Sequence, residues 1–240
     1  MTIWGKLAGA AAGLAVGGPI GALVGMLAGH LAIDKERGRS GDRRQKEIAF
    51  TIGVIALGAK MAKADGVVTR DEVDAFKQVF RVPPNEARNV ARVFNMAKDD
   101  VAGYDAYARQ LAGLFGDNRE TLEDVIDGLF HIAKADEIIH PDELEYLRSV
   151  AKIFGFDDAE FARIQARHVT EGLSDPYVIL GLDRSASNAG IKKHYRRLVA
   201  ENHPDKLMAR GVPEEFVEIA NQKLAAINAA YDRIEKERGL

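Results

Sequence analysis

Glycine occupies every fourth position from Gly5 to Gly29, and this spacing leaves the N-terminal segment very few possible structures. The 27 residues from Leu7 to Ile33 include no Asp, Glu, Lys or Arg. In water, glycine at this density disfavours a helix by up to ~1 kcal/mol per residue. In lipid the backbone must pair with itself, and a spanning helix needs about 20 apolar residues. We therefore predict a transmembrane helix within residues 1–33.

The same glycines form a stripe of small residues on that helix. Five of them are the candidate dimerisation residues: Gly9, Gly13, Gly17, Gly21 and Gly25. A second helix can approach closely along such a stripe, so we expect a homodimer through the membrane segment. A flexible Gly/Ala leader and a cleaved signal peptide are the alternative interpretations.

Positive charge is concentrated on the C-terminal side of this segment. Only Lys6 and the N-terminal amine precede it, whereas six basic residues follow it closely: Lys35, Arg37, Arg39, Arg43, Arg44 and Lys46. The positive-inside rule therefore predicts a single-pass protein with residues 34–240 in the cytoplasm, beginning with a basic linker over residues 34–45. The chain has no cysteine, which excludes disulfides, zinc–thiolate sites and thiol nucleophiles.

The middle of the chain contains a duplicated unit. Residues 61–73 align with residues 132–144 at a constant offset of 71. Each copy has the pattern of a helix, an acidic turn, a short apolar pair and a second helix. A helix pair cannot bury its apolar face alone, so we expect the two copies to pack together within residues 46–168. Because no long run alternates apolar and polar residues, the predicted fold class is all-α.

Acidic residues cluster at the two predicted turns of this unit. The candidates for binding a hard cation are Asp65, Asp71, Glu72, Asp136, Asp142 and Glu143. Their spacing is too short for a twelve-residue EF-hand loop and lacks its alternating ligands. Helix capping and compensation of the helix dipole explain the same residues, and we prefer that interpretation, with no metal and no cofactor. We expect His131 at the edge of the core and His140 in a turn, rather than as metal ligands.

The tripeptide His203-Pro204-Asp205 stands between two predicted helices. Pro204 has no amide proton and biases His203 away from helix, so the first helix should end near Asn202. One face of that helix carries the apolar residues Tyr195, Leu198 and Val199, and the other carries four basic residues, Lys192, Lys193, Arg196 and Arg197. A polar loop over residues 206–211 precedes the second helix, whose apolar residues recur at helical spacing: Phe216, Ile219, Ala220, Leu224, Ile227 and Tyr231. We predict an antiparallel hairpin with an exposed turn at its tip.

Each of these features also has a simpler interpretation. The tripeptide can be a plain helix-terminating turn, and the basic face can be a solvated surface or a nucleic-acid patch. A net charge of −3 and only four cations on that face argue against nucleic acid as a partner. No segment has the pattern of a phosphate-binding glycine loop or of a nucleophile elbow, so we expect no enzyme.

In their order and spacing, the C-terminal motifs resemble a J domain, the DnaK-activating module of the DnaJ co-chaperones, over residues 174–240. The duplicated unit is similar to the tellurite-resistance TerB family. In series after a membrane segment, the two units resemble the DjlA family of membrane-anchored DnaJ-like co-chaperones. One departure is Asn188-Ala189-Gly190, where DnaJ-type sequences commonly carry an acidic residue.

The resemblance implies a protein of the bacterial inner membrane that recruits a DnaK-type chaperone. The basic helix would dock on the ATPase of that partner, and His203, Pro204 and Asp205 would trigger its ATP hydrolysis. The alternative function is a TerB-type metal- or stress-responsive binding protein that uses the J module as an adaptor.

Overall fold

The computed structural model describes residues 18–28, 39–64, 82, 87–99, 103–134, 139–168, 174–209 and 212–240. All regular structure in these ranges is helical, which confirms the predicted class. In chain order the helices are α1 (Gly18–Ala28), α2 (Arg39–Ala64), α3 (Ala87–Asp99), α4 (Tyr104–Phe115), α5 (Arg119–Ala133), α6 (Pro141–Ile153), α7 (Asp158–Ala166), α8 (Pro176–Leu180), α9 (Asn188–Glu201), α10 (Pro204–Ala209) and α11 (Val217–Arg238).

Helix α1 is the described part of the predicted membrane segment. It has 11 residues, and among the described helices none is both long and apolar enough to cross a bilayer. Ile20 and Leu23 are fully buried against the helices that follow, and the Ile20 amide donates a hydrogen bond of 2.9 Å to the side-chain oxygen of Gln110 on α4. The described part of the segment therefore packs on α2, α3 and α4.

Helices α2 to α7 form a bundle, which we call the bundle from here on, with α2 at its centre. Every α2 residue from Glu47 to Ala59 is buried. A helix that is buried all round must be apolar all round, and the few polar groups must be satisfied locally. Thr51 accordingly donates its hydroxyl proton to the carbonyl oxygen of Glu47 at 2.8 Å, and the Tyr146 hydroxyl donates to the Leu57 carbonyl at 2.8 Å.

The duplicated unit is visible in the structure through its second copy. Helix α5 ends at Ala133, and α6 starts with Pro141 in its first turn. Residues 135–138 between them lie outside the described residues. The first copy is described only as far as the end of α2 at Ala64, so the turn after it lies outside the described residues. The large apolar residues of this region are the core positions that the sequence predicts. The structure buries them at Phe50, Ile52, Ile55, Met61, Phe94, Leu111, Phe115, Leu122, Ile126, Leu129, Phe130, Leu147, Val150, Phe154 and Phe161. Leu114 is only half-buried, and Phe76 and Phe80 are outside the described residues.

Residues 174–240 form a second, smaller unit around α8, α9 and α11. Its core contains Tyr177, Leu180, Ile191, Ile227 and Ile234. Tyr195 on α9 stacks on Tyr231 on α11, with ring centroids 3.9 Å apart.

The first half of α11 does not belong to this small core. The sequence assigns three apolar residues to the hairpin that are buried in the core of the bundle instead: Phe216, in the 3₁₀ turn just before α11, and Ile219 and Ala220 in the first turn of α11. Helix α11 therefore contributes to two cores and joins the C-terminal unit to the bundle.

Candidate functional site

The turn at His203-Pro204-Asp205 is built by the end of α9 and the start of α10. Helix α9 ends at Glu201, and Asn202 closes it: its backbone amide and its side-chain amide both donate to the Leu198 carbonyl, at 3.0 and 2.8 Å. Pro204 occupies the first position of α10, where a missing amide proton costs nothing. The predicted end of the first helix is confirmed.

The prediction of a polar loop over residues 206–211 is wrong for residues 206–209. Residues Pro204–Ala209 are helical, and 210–211 lie outside the described residues. Proline at the first helical position is already fixed near helical φ, so it starts a helix here as well as ending one. Asn202 and His203 consequently join α9 to α10, and Pro204 and Asp205 are the first two residues of α10.

His203 and Asp205 are exposed on this turn and lie next to each other. Their side chains are 54% and 80% accessible, and the Nδ1 atom of His203 lies 3.6 Å from the nearer carboxylate oxygen of Asp205. The Asp205 amide donates to that Nδ1 at 3.3 Å. A neutral imidazole that accepts at Nδ1 carries its proton on Nε2. The turn therefore offers a partner one imidazole donor and one carboxylate.

The four predicted basic residues all lie on α9. Lys193, Arg196 and Arg197 are exposed, and Lys192 is half-buried. Arg197 differs from the others because it donates a hydrogen bond of 3.0 Å to Nδ1 of His194 and lies 4.0 Å from Glu201. It sits at the edge of the basic surface, where α9 faces the bundle.

A cleft of about 240 Å³ separates α9 from the bundle at this edge. Arg197 and Glu201 line one wall, and Arg119 and Glu160, which are 2.5 Å apart, line the other. His194 also lines the cleft, and its Nε2 donates to the Leu180 carbonyl at 2.8 Å, since its Nδ1 accepts from Arg197. Burial lowers the pKa of His194, which keeps it neutral and suited to both bonds.

The basic helix is held in place by residues that sequence reasoning missed. The Arg238 guanidinium donates to the Tyr177 hydroxyl at 2.6 Å and to the carbonyls of Ala186 and Arg184. These bonds tie the end of α11 to α8 and to the loop before α9. Ser187 caps α9 by accepting from the Gly190 amide at 3.2 Å. This serine cap satisfies one amide of the first turn, which contains Asn188-Ala189-Gly190 and no acidic residue.

The acidic turns are only partly described. Asp65, Asp71, Glu72 and Asp136 lie outside the described residues. Asp142 is exposed, whereas Glu143 is buried and accepts a hydrogen bond of 2.9 Å from the His140 amide, which is the reach-back bond of a capping box. In the described part of the chain, no three His, Asp or Glu side chains are grouped to hold a metal ion. Helix capping accounts for Glu143.

The predicted histidines lie where the sequence placed them in the fold. His131 is half-buried and meets His168 edge-on, with ring centroids 4.8 Å apart, and His140 is the exposed residue before α6. Of the candidate dimerisation residues, Gly21 and Gly25 lie on α1, while Gly9, Gly13 and Gly17 are outside the described residues. Dimerisation remains a prediction.

Three family models match the chain in the predicted order. The model of the co-chaperone DjlA transmembrane domain matches residues 1–43, that of the tellurite resistance protein TerB matches residues 51–166, and that of the DnaJ domain matches residues 175–237. The predicted succession of a membrane segment, a TerB-like unit and a J domain is confirmed.

Curated relatives match over most of the chain. The co-chaperone protein DjlA of Shewanella oneidensis is 30% identical over 262 residues, which cover 100% of both chains. Those of Photobacterium profundum and Coxiella burnetii are each 30% identical, and their alignments cover 83% and 84% of this chain and 81% and 82% of the relatives. No solved structure matches the chain.

Proposed function

The chain belongs to the DjlA co-chaperone family, and we propose that it stimulates the ATPase of a DnaK-type chaperone at the bacterial inner membrane. The observation that carries the proposal is the turn at the end of α9. His203 and Asp205 are exposed there beside a row of lysines and arginines. Neither residue is needed by a core, so their exposure at the tip of a rigid hairpin favours a role in contacting a partner.

The basic surface on α9 would act first, by attracting an acidic surface of the partner. Lys192, Lys193 and Arg196 follow one another along the helix, and opposite charges steer the encounter and fix its register. The Asp205 carboxylate would then meet a cationic group of the partner, and the Nε2 proton of His203 would meet an acceptor. A charge-assisted hydrogen bond has strict geometry, so the turn must be held as stiffly as α9 and α10 hold it.

The chemistry of ATP hydrolysis would belong to the partner. In the proposed complex this chain supplies no nucleophile, metal or general base. It binds, and it thereby shifts the partner toward a state that hydrolyses ATP. For this reason we propose a co-chaperone that is not itself an enzyme and that needs no cofactor.

The N-terminal segment would anchor this activity to the membrane. The proposed arrangement is a single-pass protein of the inner membrane, with residues 34–240 in the cytoplasm, where ATP is available to DnaK. The excess of basic residues after the segment supports this orientation. The glycine stripe supports a homodimer, because it lets two helices approach closely in lipid.

Single-turnover hydrolysis of ATP by a DnaK-type chaperone tests the proposal. We expect the wild-type chain to accelerate hydrolysis and Asp205→Asn to reduce the acceleration by about tenfold or more, since a hydrogen bond to a charged group is worth about 1.5–3 kcal/mol. Asp232→Asn is the matched control, because Asp232 is equally an exposed aspartate of the same unit but lies on α11. Equal acceleration by wild type and Asp205→Asn would refute the proposed role of the turn.

A further inference from the structure

Helix α5 of the bundle carries three acidic residues that are all buried. The side chains of Glu123, Asp124 and Asp127 are 8%, 6% and 2% accessible. Burying a carboxylate is costly unless a cation and hydrogen bonds compensate it. The positive charges that face these three carboxylates therefore determine whether the packing around α5 is stable.

The bundle itself supplies two of the compensating cations. Arg167 is 2.8 Å from Asp127 and 2.9 Å from Glu123, and Arg163 is 2.5 Å from Glu123. His168 also faces the group, since its Nε2 lies 2.8 Å from Asp127. Burial lowers the pKa of His168, so it adds no lasting positive charge. Three carboxylates are thus matched by two guanidinium groups.

The third cation comes from the J domain. The ammonium of Lys223, on α11, lies 2.9 Å from Asp124 and 3.0 Å from Glu123, and its side chain is only 2% accessible. Burial alone would lower the pKa of Lys223, but the three carboxylates outweigh burial and raise the pKa. Lys223 is therefore charged, and the buried group becomes neutral only when the J domain is in place.

An apolar contact surrounds this ionic contact. The ring of Phe216 lies edge-on against Phe50 of the central helix α2, with centroids 4.9 Å apart. Val212, Ile219 and Ala220 are buried in the same core. Apolar burial supplies most of the free energy of such a contact but has little directional preference, whereas a buried ion pair is satisfied in only one position.

We propose that the TerB-like bundle is the intramolecular docking partner of the J domain, with the acidic residues of α5 as the receptor for Lys223. The contact leaves His203 and Asp205 exposed, so the docked J domain keeps its turn accessible. Docking fixes the direction in which this turn faces relative to the bundle. A DnaK-type partner would then be held at a defined place beside whatever the bundle binds.

The distance between the two units in solution tests this proposal, and the chain suits the experiment because it has no cysteine of its own. Cysteines introduced at exposed Lys152 on α6 and exposed Asp232 on α11 carry a pair of spin labels. We expect a single narrow distance distribution for the otherwise wild-type full chain. Lys223→Glu places a fourth carboxylate among the three acids, and we expect the narrow peak to be lost.

Two further variants separate docking from general damage. Lys236→Glu makes the same charge change at an exposed position of the same helix, and it should leave the narrow peak unchanged. Asp124→Lys combined with Lys223→Glu restores the count of three negative and three positive charges, so it should recover the peak at least in part. Helicity by circular dichroism checks that each variant is folded.

Three results would overturn the proposal. A broad distribution for the wild-type chain would mean that the units are not docked. A narrow peak that persists in Lys223→Glu would mean that Lys223 does not fix the contact. A loss of the peak in Lys236→Glu as well would mean that the effect of charge reversal is not specific. None of the three distance measurements involves DnaK. Failure of the docking proposal can therefore be distinguished from failure of the proposed co-chaperone function.

Discussion

His203 forms a hydrogen bond within its own turn. The Nδ1 atom of His203 accepts a hydrogen bond from the Asp205 amide. A residue that replaces His203 must therefore accept this hydrogen bond and also donate one to the partner. Glutamine can accept and donate, but its amide is reached through three rotatable bonds instead of two, so it is not held in the position of the imidazole ring. We predict that His203→Gln removes most of the acceleration of DnaK ATP hydrolysis and leaves helicity unchanged. Unchanged acceleration by a folded variant would show that the histidine is only a turn residue.

The buried histidine pair makes the bundle sensitive to acid. Burial, and then the charge of His168, lower the pKa of His131 to about 4 from its ordinary value of 6.5. Between these values the unfolded chain binds the proton more readily than the folded one, so stability falls as the pH falls. Burial raises the pKa of Asp124 to about 6, and this opposes the loss, because a raised carboxyl pKa favours the folded state at low pH.

A comparison of wild type with His131→Gln isolates the effect of the lowered His131 pKa from that of Asp124. We predict that the free energy of unfolding of wild type, relative to this variant, decreases by about 2 kcal/mol between about pH 7.5 and pH 5. Urea unfolding at the two pH values measures it. A pH-independent difference for His131→Gln would contradict the assigned burial.

Single residues differ in how far the sequence predicts their role. The exposure of His203 and Asp205 was predictable, because the proline between them ends α9 just before this pair. Lys223 was not, because a lysine in a helix normally lies in solvent. Its burial depends on three carboxylates about a hundred positions earlier in the chain, and no local pattern records such a pairing.

Among the elements, α2 depends on a close approach to α4. A β-carbon added at Gly53 would lie 2.6 Å from a methyl group of Leu111, which is fully buried and has no space to move. We predict that Gly53→Ala lowers the free energy of unfolding by about 1–3 kcal/mol through overpacking. At Gly113, on the exposed face of α4, an added β-carbon meets no atom within 4 Å.

The paired substitution makes this prediction specific. Gly113→Ala should leave stability unchanged or raise it by up to about 1 kcal/mol, because alanine favours a helix over glycine. Chemical denaturation of both variants measures the two values. Equal effects at the two glycines would mean that α2 and α4 are not as close as the structure places them.

The sequence predicts where a helix ends better than it predicts which other element the helix packs on. The end of α9 was predictable, since Asn202 and Pro204 act on their own neighbourhood. The partner of α11 was not predictable. Apolar residues repeat evenly from Phe216 to Tyr231, yet the first of them pack on the bundle and the later ones on α8 and α9. Helical periodicity identifies an apolar face but not which other element covers it.

At the scale of the whole molecule, the order of domains follows from the sequence, whereas their contact does not. The family matches confirm a membrane segment, a TerB-like unit and a J domain in that order. The docking of the J domain on the bundle arises from burial of charge and apolar surface between distant segments. A sequence pattern predicts neither the burial of charge nor the burial of apolar surface between distant segments.

The glycine stripe predicts that anchoring and pairing can be separated. Gly21 is half-buried on the bundle in α1, so Gly9 and Gly13 are cleaner positions to change. Replacing both by leucine adds apolar bulk, which should preserve membrane insertion while holding paired helices apart. Membrane fractionation and cross-linking measure the two outcomes. Cross-linking equal to wild type would contradict pairing through the stripe, and a soluble wild-type chain would contradict the anchor.

Recruitment of DnaK to vesicles tests whether the chain is a membrane-anchored co-chaperone that acts through Asp205. The full chain is reconstituted into liposomes and mixed with a DnaK-type chaperone and ATP, and both hydrolysis and co-sedimentation are measured. We predict that vesicles with the wild-type chain accelerate hydrolysis and carry DnaK into the pellet, and that vesicles with Asp205→Asn give an acceleration lower by about tenfold or more and carry down less DnaK. Equal acceleration and sedimentation with the two chains, or no acceleration by the wild type, would contradict this prediction.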